Sequence, residues 1–227
     1  MKTKILSLLT GFIAVTALLP AQANANPFGD DKKETREVSA FSRISMGVSG
    51  ELYLTQGDEY KLVIEGDEDD LEDIETKVSG ERLRIKYDKP FGFSWNPKKV
   101  KIYVTTKEVE GLSVSGSGKI IAENALSTEA IEFNVSGSGE IDIDDLEASD
   151  INASISGSGD IKLAGRNSAE YLDMNISGSG ELQASELKVK RAEIAISGSG
   201  GCGVYVTENL KADISGSGKV RYDGNPV

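Results

Sequence analysis

The tetrapeptide Ser-Gly-Ser-Gly occurs six times in the second half of this chain, and its regular spacing restricts the fold more than any other feature. Successive copies start 18 to 21 residues apart. A repeat of this length is typical of solenoids, in which each unit forms one turn of the chain and rests on the next unit. The six copies begin at Ser115, Ser136, Ser156, Ser177, Ser197 and Ser215.

The residues around each motif alternate between apolar and polar types. In the second copy, Ile131, Phe133 and Val135 precede the glycines and Ile141 and Ile143 follow them, with polar residues between. Alternation sustained over about 13 residues predicts a β-strand with one buried face. One such unit cannot bury its own apolar face, so we expect the units to stack in parallel, about 4.8 Å apart. The sequence therefore predicts an all-β parallel β-helix with rungs of about 20 residues and right-handed winding.

The same alternation predicts where the side chains of the motif point. Both glycines are expected to face inward, at a corner too narrow for a Cβ, and both serines to face outward. The serines would then form two columns of hydroxyls, which either serve as a binding surface or simply solvate a tight corner. The first column holds Ser115, Ser136, Ser156, Ser177, Ser197 and Ser215, and the second holds Ser117, Ser138, Ser158, Ser179, Ser199 and Ser217.

The residues before the regular rungs are also β-like. Runs typical of strands occur at 38–46, 51–55, 60–65, 82–87 and 100–105, and residues 67–73 form an acidic turn. We expect residues 38–110 to form irregular first coils that cap the regular rungs of 111–222, within one solenoid domain over 38–227. A cap is needed because a bare end rung exposes its edge to other chains. Residues 26–37 are polar and charged, which predicts a flexible lead.

The first 25 residues have the pattern of a secretory signal peptide. Lys2 and Lys4 precede an apolar stretch from Ile5 to Leu19, Pro20 ends that stretch, and Ala23-Asn24-Ala25 supplies a small-x-small cleavage site. This pattern predicts cleavage after about Ala25 and export to the periplasm or to the cell surface and outer membrane. The apolar stretch is short for a membrane span, which needs about 20 residues. No later run of apolar residues reaches that length, so we expect no transmembrane span in the mature chain.

Composition restricts the chemistry further. A formal net charge of −12 argues against binding nucleic acid, which requires clustered Lys and Arg. The chain has no histidine, which excludes Ser-His-Asp triads, Cys-His pairs and His-containing zinc sites. Its single cysteine, Cys202, lies on the inward register and is predicted to be a small buried apolar residue. We therefore predict a protein that binds without catalysis and without a cofactor.

A glycan-active β-helix enzyme is the remote alternative. Such enzymes need acids and bases arranged around a groove, and in a solenoid that groove is formed by long loops. The turns between the repeats of this chain are short and uniform. The pattern of the turns therefore favours binding over conversion of a substrate.

Two further candidate sites are defined by residue type. The position after the motif carries Glu140, Asp160 and Glu181 in successive copies, and these stacked acids either hold a calcium ion or face solvent beside compensating lysines. Residues 89–97 form an aromatic loop that either stacks on sugar rings or a protein partner, or folds back over the end of the core. The aromatic residues of this loop are Phe91, Phe93 and Trp95.

The motifs together resemble one known family. The chain reads FSRI at residues 41–44, VSGEL at 48–52, and then the serial Val/Ile-Ser-Gly-Ser-Gly rungs. Over residues 38–225 this arrangement resembles the bacterial auto-transporter adhesin head GIN domain family. The resemblance implies a β-helical fold related in shape to pectin-lyase-like solenoids, and it transfers no catalytic residues. It favours adhesion-type binding to a glycan, an envelope polymer or a protein, with a self-associating structural protein of the envelope as the alternative.

Overall fold

The computed structural model describes residues 32–88 and 100–227, and most of these residues form β-strands around one apolar core. The strands are β1 (Lys32–Arg36), β2 (Arg43–Gly47), β3 (Gly50–Gln56), β4 (Lys61–Gly66), β5 (Ile74–Ser79), β6 (Arg82–Tyr87), β7 (Val100–Thr106), β8 (Gly111–Gly116), β9 (Lys119–Ala122), β10 (Leu126–Gly137), β11 (Glu140–Ile143), β12 (Leu146–Gly157), β13 (Asp160–Ala164), β14 (Ala169–Gly178), β15 (Glu181–Gly198), β16 (Gly201–Gly216) and β17 (Lys219–Gly224). The helix α1 (Glu68–Glu72) forms within the segment predicted to be an acidic turn. The predicted signal peptide at 1–25 and the predicted aromatic loop at 89–97 lie outside the described residues.

From residue 111 onwards the chain is a regular parallel solenoid. In each rung one strand ends at the first glycine of the motif, and the next strand begins directly after the second glycine. The residues that lead up to each motif pair in parallel with the equivalent residues of the neighbouring rungs. Ser136, for example, lies opposite Ser115 in one neighbouring rung and opposite Ser156 in the other. The predicted parallel β-helix with its motifs in one column is confirmed.

The first coils are not stacked in chain order. The strands β2 and β3 form one rung, and β6 and β7 form another. β2 lies between β6 and β8, while β3 lies between β7 and β9. After β3 the chain therefore moves to the end of the solenoid, builds the β6–β7 rung there, and returns past the β2–β3 rung to start the regular repeats.

Antiparallel strands close this end of the solenoid. β5 pairs with β6 on one side, and β4 pairs with β7 on the other side. Between β4 and β5, the helix α1 places Leu71 in the core, and Ile74 follows it there. Because the reversed strands do not continue the parallel stack, they end the series of rungs, as expected for an irregular β cap.

The segment 32–36 differs from the expectation of a flexible lead, because it forms β1. This strand pairs antiparallel with β4 and covers an edge that would otherwise leave backbone N–H and C=O groups unpaired. Arg36 donates hydrogen bonds to the carbonyl oxygens of Leu71 and Ile74, at 3.0 Å each. Lys33 lies 3.1 Å from Glu65. The charged residues of segment 32–36 therefore belong to an edge strand whose side chains face solvent.

The alternation along the strands produces the core as predicted. Side chains at the apolar positions of successive rungs lie on top of one another inside the solenoid. The six residues predicted to be buried, with exposed fractions of 2% or less, are Ile141, Ile155, Ile161, Ile176, Leu182 and Ile196.

Candidate functional site

The first glycine of each motif makes the corner between two faces of the solenoid. These glycines have φ angles between +100° and +128°, a backbone conformation that residues with a Cβ rarely adopt. From Gly137 onwards these glycines also approach the preceding rung very closely, since a Cβ built on Gly157 would lie 2.5 Å from the carbonyl oxygen of Gly137. The prediction that both motif glycines face inward is wrong for this one. This glycine is at least partly exposed at the turn, and Gly116, Gly137 and Gly216 are the most exposed of the six.

The second glycine of each motif faces inward, as predicted. Gly118, Gly139, Gly159, Gly180 and Gly200 are all buried. A Cβ on Gly180 would lie 2.5 Å from the Cγ2 atom of Ile155, so the core residue of the preceding rung occupies the space that a side chain would need. The two glycines therefore meet different requirements. The first satisfies the backbone angle of the turn, and the second makes room for the core.

The corner remains part of the backbone hydrogen-bond ladder. The Ser158 N–H donates to the Gly137 carbonyl at 2.8 Å, and the Asp160 N–H donates to the Gly139 carbonyl at 3.0 Å. Equivalent bonds recur in the rungs that follow. Because the backbone groups are satisfied within the stack, the serine side chains are not needed to hold the turn.

All twelve motif serines are exposed, and they form two columns along this corner. The first column lies at the ends of the strands, one residue before the turn, and the second lies one residue after it. Successive hydroxyls in a column are spaced by the strand repeat of about 4.8 Å. None of the twelve hydroxyls is hydrogen-bonded to a residue within 32–88 or 100–227. The predicted outward orientation of the motif serines is confirmed.

A shallow groove with a volume of about 540 Å³ runs beside the first serine column. Its second wall is another outward-facing column, which stands two residues before the motif and was not singled out from the sequence. That column contains Asn134, Ser154, Asn175, Ala195 and Asp213 in register. The alternation that located the serines also predicts this column, because every second residue before the motif faces solvent.

The stack Glu140–Asp160–Glu181 lies on the neighbouring face, with the three acids in register. Two lysines bracket the first acid, with Lys119 at 3.2 Å and Lys162 at 3.0 Å from Glu140. Burial would raise the pKa of Glu140, but the hydrogen bonds from Lys162 and Lys119 outweigh it and lower that pKa. Within the described ranges no cluster of acids or Cys is arranged to hold a metal ion. The compensating lysines expected beside this stack therefore pair with its first acid, Glu140.

A pair of stacked tyrosines lies further along this face and was not found from the sequence. The rings of Tyr53 and Tyr103 have centroids 5.4 Å apart and planes inclined by 17°. The Tyr53 hydroxyl donates to Glu51 at 2.7 Å, and the Tyr103 hydroxyl donates to Glu65 at 3.1 Å. The bond to Glu51 raises the pKa of Tyr53. The register that brings the rings together joins β3 to β7, strands separated by the whole capping segment, so no local pattern reveals it.

Cys202 is buried on the inward register, as predicted, with 2% of its surface exposed. Burial, with a smaller contribution from the charge of Glu181, raises the pKa of its thiol to about 12. The thiolate, which is the reactive form, is therefore scarce at neutral pH. Cys202 acts as a small core residue.

Comparison with known proteins now identifies the family. A family model described as "Putative auto-transporter adhesin, head GIN domain" matches residues 40–226. The chain belongs to the head GIN domain family. The predicted resemblance is thus confirmed over nearly the full solenoid. No curated protein matches this head GIN domain chain.

Solved structures agree with this membership. A putative adhesin from Bacteroides fragilis is 28% identical to this head GIN domain chain, with a TM-score of 0.81, over 88% of this chain and 92% of that one. A putative lipid binding protein from Parabacteroides distasonis is 27% identical, with a TM-score of 0.72 and the same coverage of both chains. A putative adhesin from Parabacteroides merdae shares the fold at 22% identity, with a TM-score of 0.66, over 88% of this chain and 91% of that one.

The described part of the chain contains no helix that is long and apolar enough to span a membrane. The predicted signal peptide and the aromatic residues Phe91, Phe93 and Trp95 are not among the described residues, so their roles stay predictions.

Proposed function

We propose that this head GIN domain protein is an exported, non-catalytic adhesion-type binding protein of the cell envelope, and that the serine corner is its binding surface. The corner is defined as the two serine columns and the groove beside the first column. Its ligand would be a repetitive polymer, with a polysaccharide as the best match. The relatives described as a putative adhesin and a putative lipid binding protein support binding as the general role.

One observation carries the proposal. The corner repeats the same pair of exposed hydroxyls over six rungs, and none of those hydroxyls is hydrogen-bonded to another described residue. Free hydroxyls both donate and accept hydrogen bonds, which suits ligands rich in hydroxyl and amide groups. A fixed spacing along the solenoid suits a ligand that itself repeats, because many weak contacts then form together.

The charges beside the groove favour a neutral ligand over an anionic one. The next outward column on this face carries Glu132, Asp173 and Glu193 and continues with Lys211. Glu132 pairs with Arg43 and Glu193 pairs with Lys211, which leaves Asp173, and Asp213 in the groove, as acids without an ion pair among the described residues. The whole chain has a net charge of −12. An acidic surface repels polyanions, so teichoic-acid-like or nucleic polymers fit this corner less well than a neutral polysaccharide.

The chemistry of the corner supports binding without conversion. The groove is lined by five serines and four isoleucines together with Asn175, Ala195 and Asp213, so Asp213 is its single carboxylate. General acid–base catalysis on glycans needs a pair of carboxyl groups facing each other across the bond to be cleaved. The groove is shallow and offers hydrogen-bonding groups along its length, which suits holding a chain in place.

The experiment compares two triple variants of the purified protein for binding to immobilised envelope polysaccharides. Replacing Ser136, Ser156 and Ser177 by Lys fills the first column with long charged side chains and should abolish binding. A matched control places the same three lysines at serines that are exposed outside the motifs, namely Ser127, Ser168 and Ser185. The control should bind as the unchanged protein does. Equal binding by both variants, with both shown to be folded by circular dichroism, would exclude the serine corner.

A further inference from the structure

A basic patch, made up of Arg82, Arg84 and Lys77, lies at the cap end of the face that carries the serine corner. β6 supplies the two arginines on its outward side, while Leu83 and Ile85 between and beside them are buried. β5 supplies the lysine, and the sheet continues from β6 through β2 to β8. The patch therefore has the opposite sign to the chain as a whole, which has a net charge of −12.

The register of the strands places like charges directly opposite one another in this region. Arg82 lies opposite Arg43 on β2, and Arg84 lies opposite Lys77 on β5. Like charges at facing positions destabilise neighbouring strands. The arrangement is therefore better suited to holding an anion than to stabilising the sheet.

The cations of the basic patch are not neutralised within the molecule. Two neighbouring cations, Arg43 and Lys86, each form a salt bridge with a glutamate, at 2.7 Å and 2.8 Å respectively. By contrast, Arg82, Arg84 and Lys77 form no salt bridge with any residue of 32–88 or 100–227. Arg84 and Lys77 are exposed and Arg82 is half-buried, so three positive charges remain for a ligand.

Hydroxyl groups lie among these charges. Ser45 lies opposite Arg84 on one side and opposite Ser113 on the other. The guanidinium of Arg82 donates to the Ser113 hydroxyl at 3.4 Å, so it reaches across β2 toward β8. Each serine hydroxyl can donate a hydrogen bond to an oxyanion. Guanidinium groups suit phosphate in particular, because their N–H groups form a planar fork that matches two phosphate oxygens.

The basic patch is continuous with the serine corner. Ser113 lies opposite Asn134 and so extends the column that forms the second wall of the groove. A ligand chain that follows this column toward the cap reaches Ser113 and then the guanidinium groups of Arg82 and Arg84. A polymer with phosphate on every unit would meet the acidic side chains of the next outward column. One phosphate at the end of a neutral chain reaches the basic patch instead.

We propose that the basic patch binds a phosphate group, which is carried at one end of the polysaccharide held by the serine corner. The groups that contact the phosphate are those of Arg82, Arg84, Lys77, Ser45 and Ser113. Phosphate binding itself stands on the basic patch alone, whereas the polysaccharide as its carrier rests on the proposed function. An anionic membrane surface fits this protein less well, because a net charge of −12 repels it.

The test is the binding of glucose 1-phosphate to the purified protein, followed by changes in the NMR chemical shifts of backbone amides. Glucose 1-phosphate should shift amides of β2, β6 and β8, and glucose should not. Arg84→Gln should raise the dissociation constant about tenfold, because it removes a charged hydrogen-bond donor. Arg191→Gln removes the same charge at an exposed position away from the basic patch and should bind as the unchanged protein does.

Stability provides a second readout that separates ligand binding from a structural role. Arg84→Gln should not lower the midpoint of urea unfolding without ligand, because it removes the repulsion between Arg84 and Lys77. A lower midpoint would assign Arg84 to the support of the sheet and overturn the proposal. So would failure of glucose 1-phosphate to bind, or equal binding by Arg84→Gln and Arg191→Gln. Binding to phosphatidylglycerol vesicles without binding to glucose 1-phosphate would place a membrane at the basic patch instead.

The carrier is tested with an oligosaccharide from the bound envelope polysaccharide, prepared with and without a phosphate at its reducing end. The phosphate should tighten binding to the unchanged protein about tenfold and should give no gain with Arg84→Gln. Equal binding of both forms would overturn the assignment of the phosphate to the polysaccharide. If the triple Lys variant of the serine corner left polysaccharide binding intact while glucose 1-phosphate still bound, the proposed function alone would fail.

Discussion

The column of corner glycines makes a strong and specific prediction about stability. Replacing Gly157 by Ala adds a methyl group at a φ of +124°, and the new Cβ would lie 2.5 Å from the carbonyl oxygen of Gly137 in the rung below. The unfavourable backbone angle alone costs about 1–3 kcal/mol. The clash with backbone in a closely packed stack adds about 1–3 kcal/mol, because the neighbouring rung must shift. We therefore expect Gly157→Ala to lower the free energy of unfolding by about 2–6 kcal/mol.

Gly116 provides the matched control for this substitution. It has the same kind of backbone angle, with a φ of +100°, but a Cβ built there would meet nothing within 4 Å. Gly116→Ala should therefore lower the free energy of unfolding only by the cost of the backbone angle, about 1–3 kcal/mol. Urea denaturation followed by far-UV circular dichroism measures both losses. Equal losses in the two variants would show that the stacking contact does not matter. Losses below about 0.5 kcal/mol in both would contradict the argument from φ as well.

Two further predictions concern the core. Ile176→Ala should lower the free energy of unfolding by about 2–5 kcal/mol, because it leaves a cavity between rungs, and the same denaturation assay measures this loss; a loss below about 0.5 kcal/mol would contradict the assigned inside of the solenoid. Cys202 should resist alkylation by iodoacetamide at pH 8 in the folded protein, because its pKa is raised to about 12, and should react once urea unfolds the chain. Rapid labelling of the folded protein, detected by mass spectrometry, would mean that the thiol is accessible and ionised.

The sequence by itself was sufficient for the regular part of the fold. The period of about 20 residues defined one rung, and the period of two within each rung separated inside from outside. Both periods can be read from short stretches of the chain. Similar units stack regularly only in matching register, so the periods also determine which residues lie above one another. For that reason the column of motifs, the burial of Ile155 and Ile176, and the exposure of the motif serines were all predicted correctly.

The tertiary structure decided the features that depend on which segments meet. The β6–β7 rung lies outside the β2–β3 rung, and β1 pairs with β4. Both arrangements join segments that are far apart in the sequence, so no local pattern determines which of them become neighbours. The stacking of Tyr53 on Tyr103 follows from that same order. Alternation also assigned the first motif glycine to the inside, whereas the backbone turns there at positive φ and breaks the alternation for one residue.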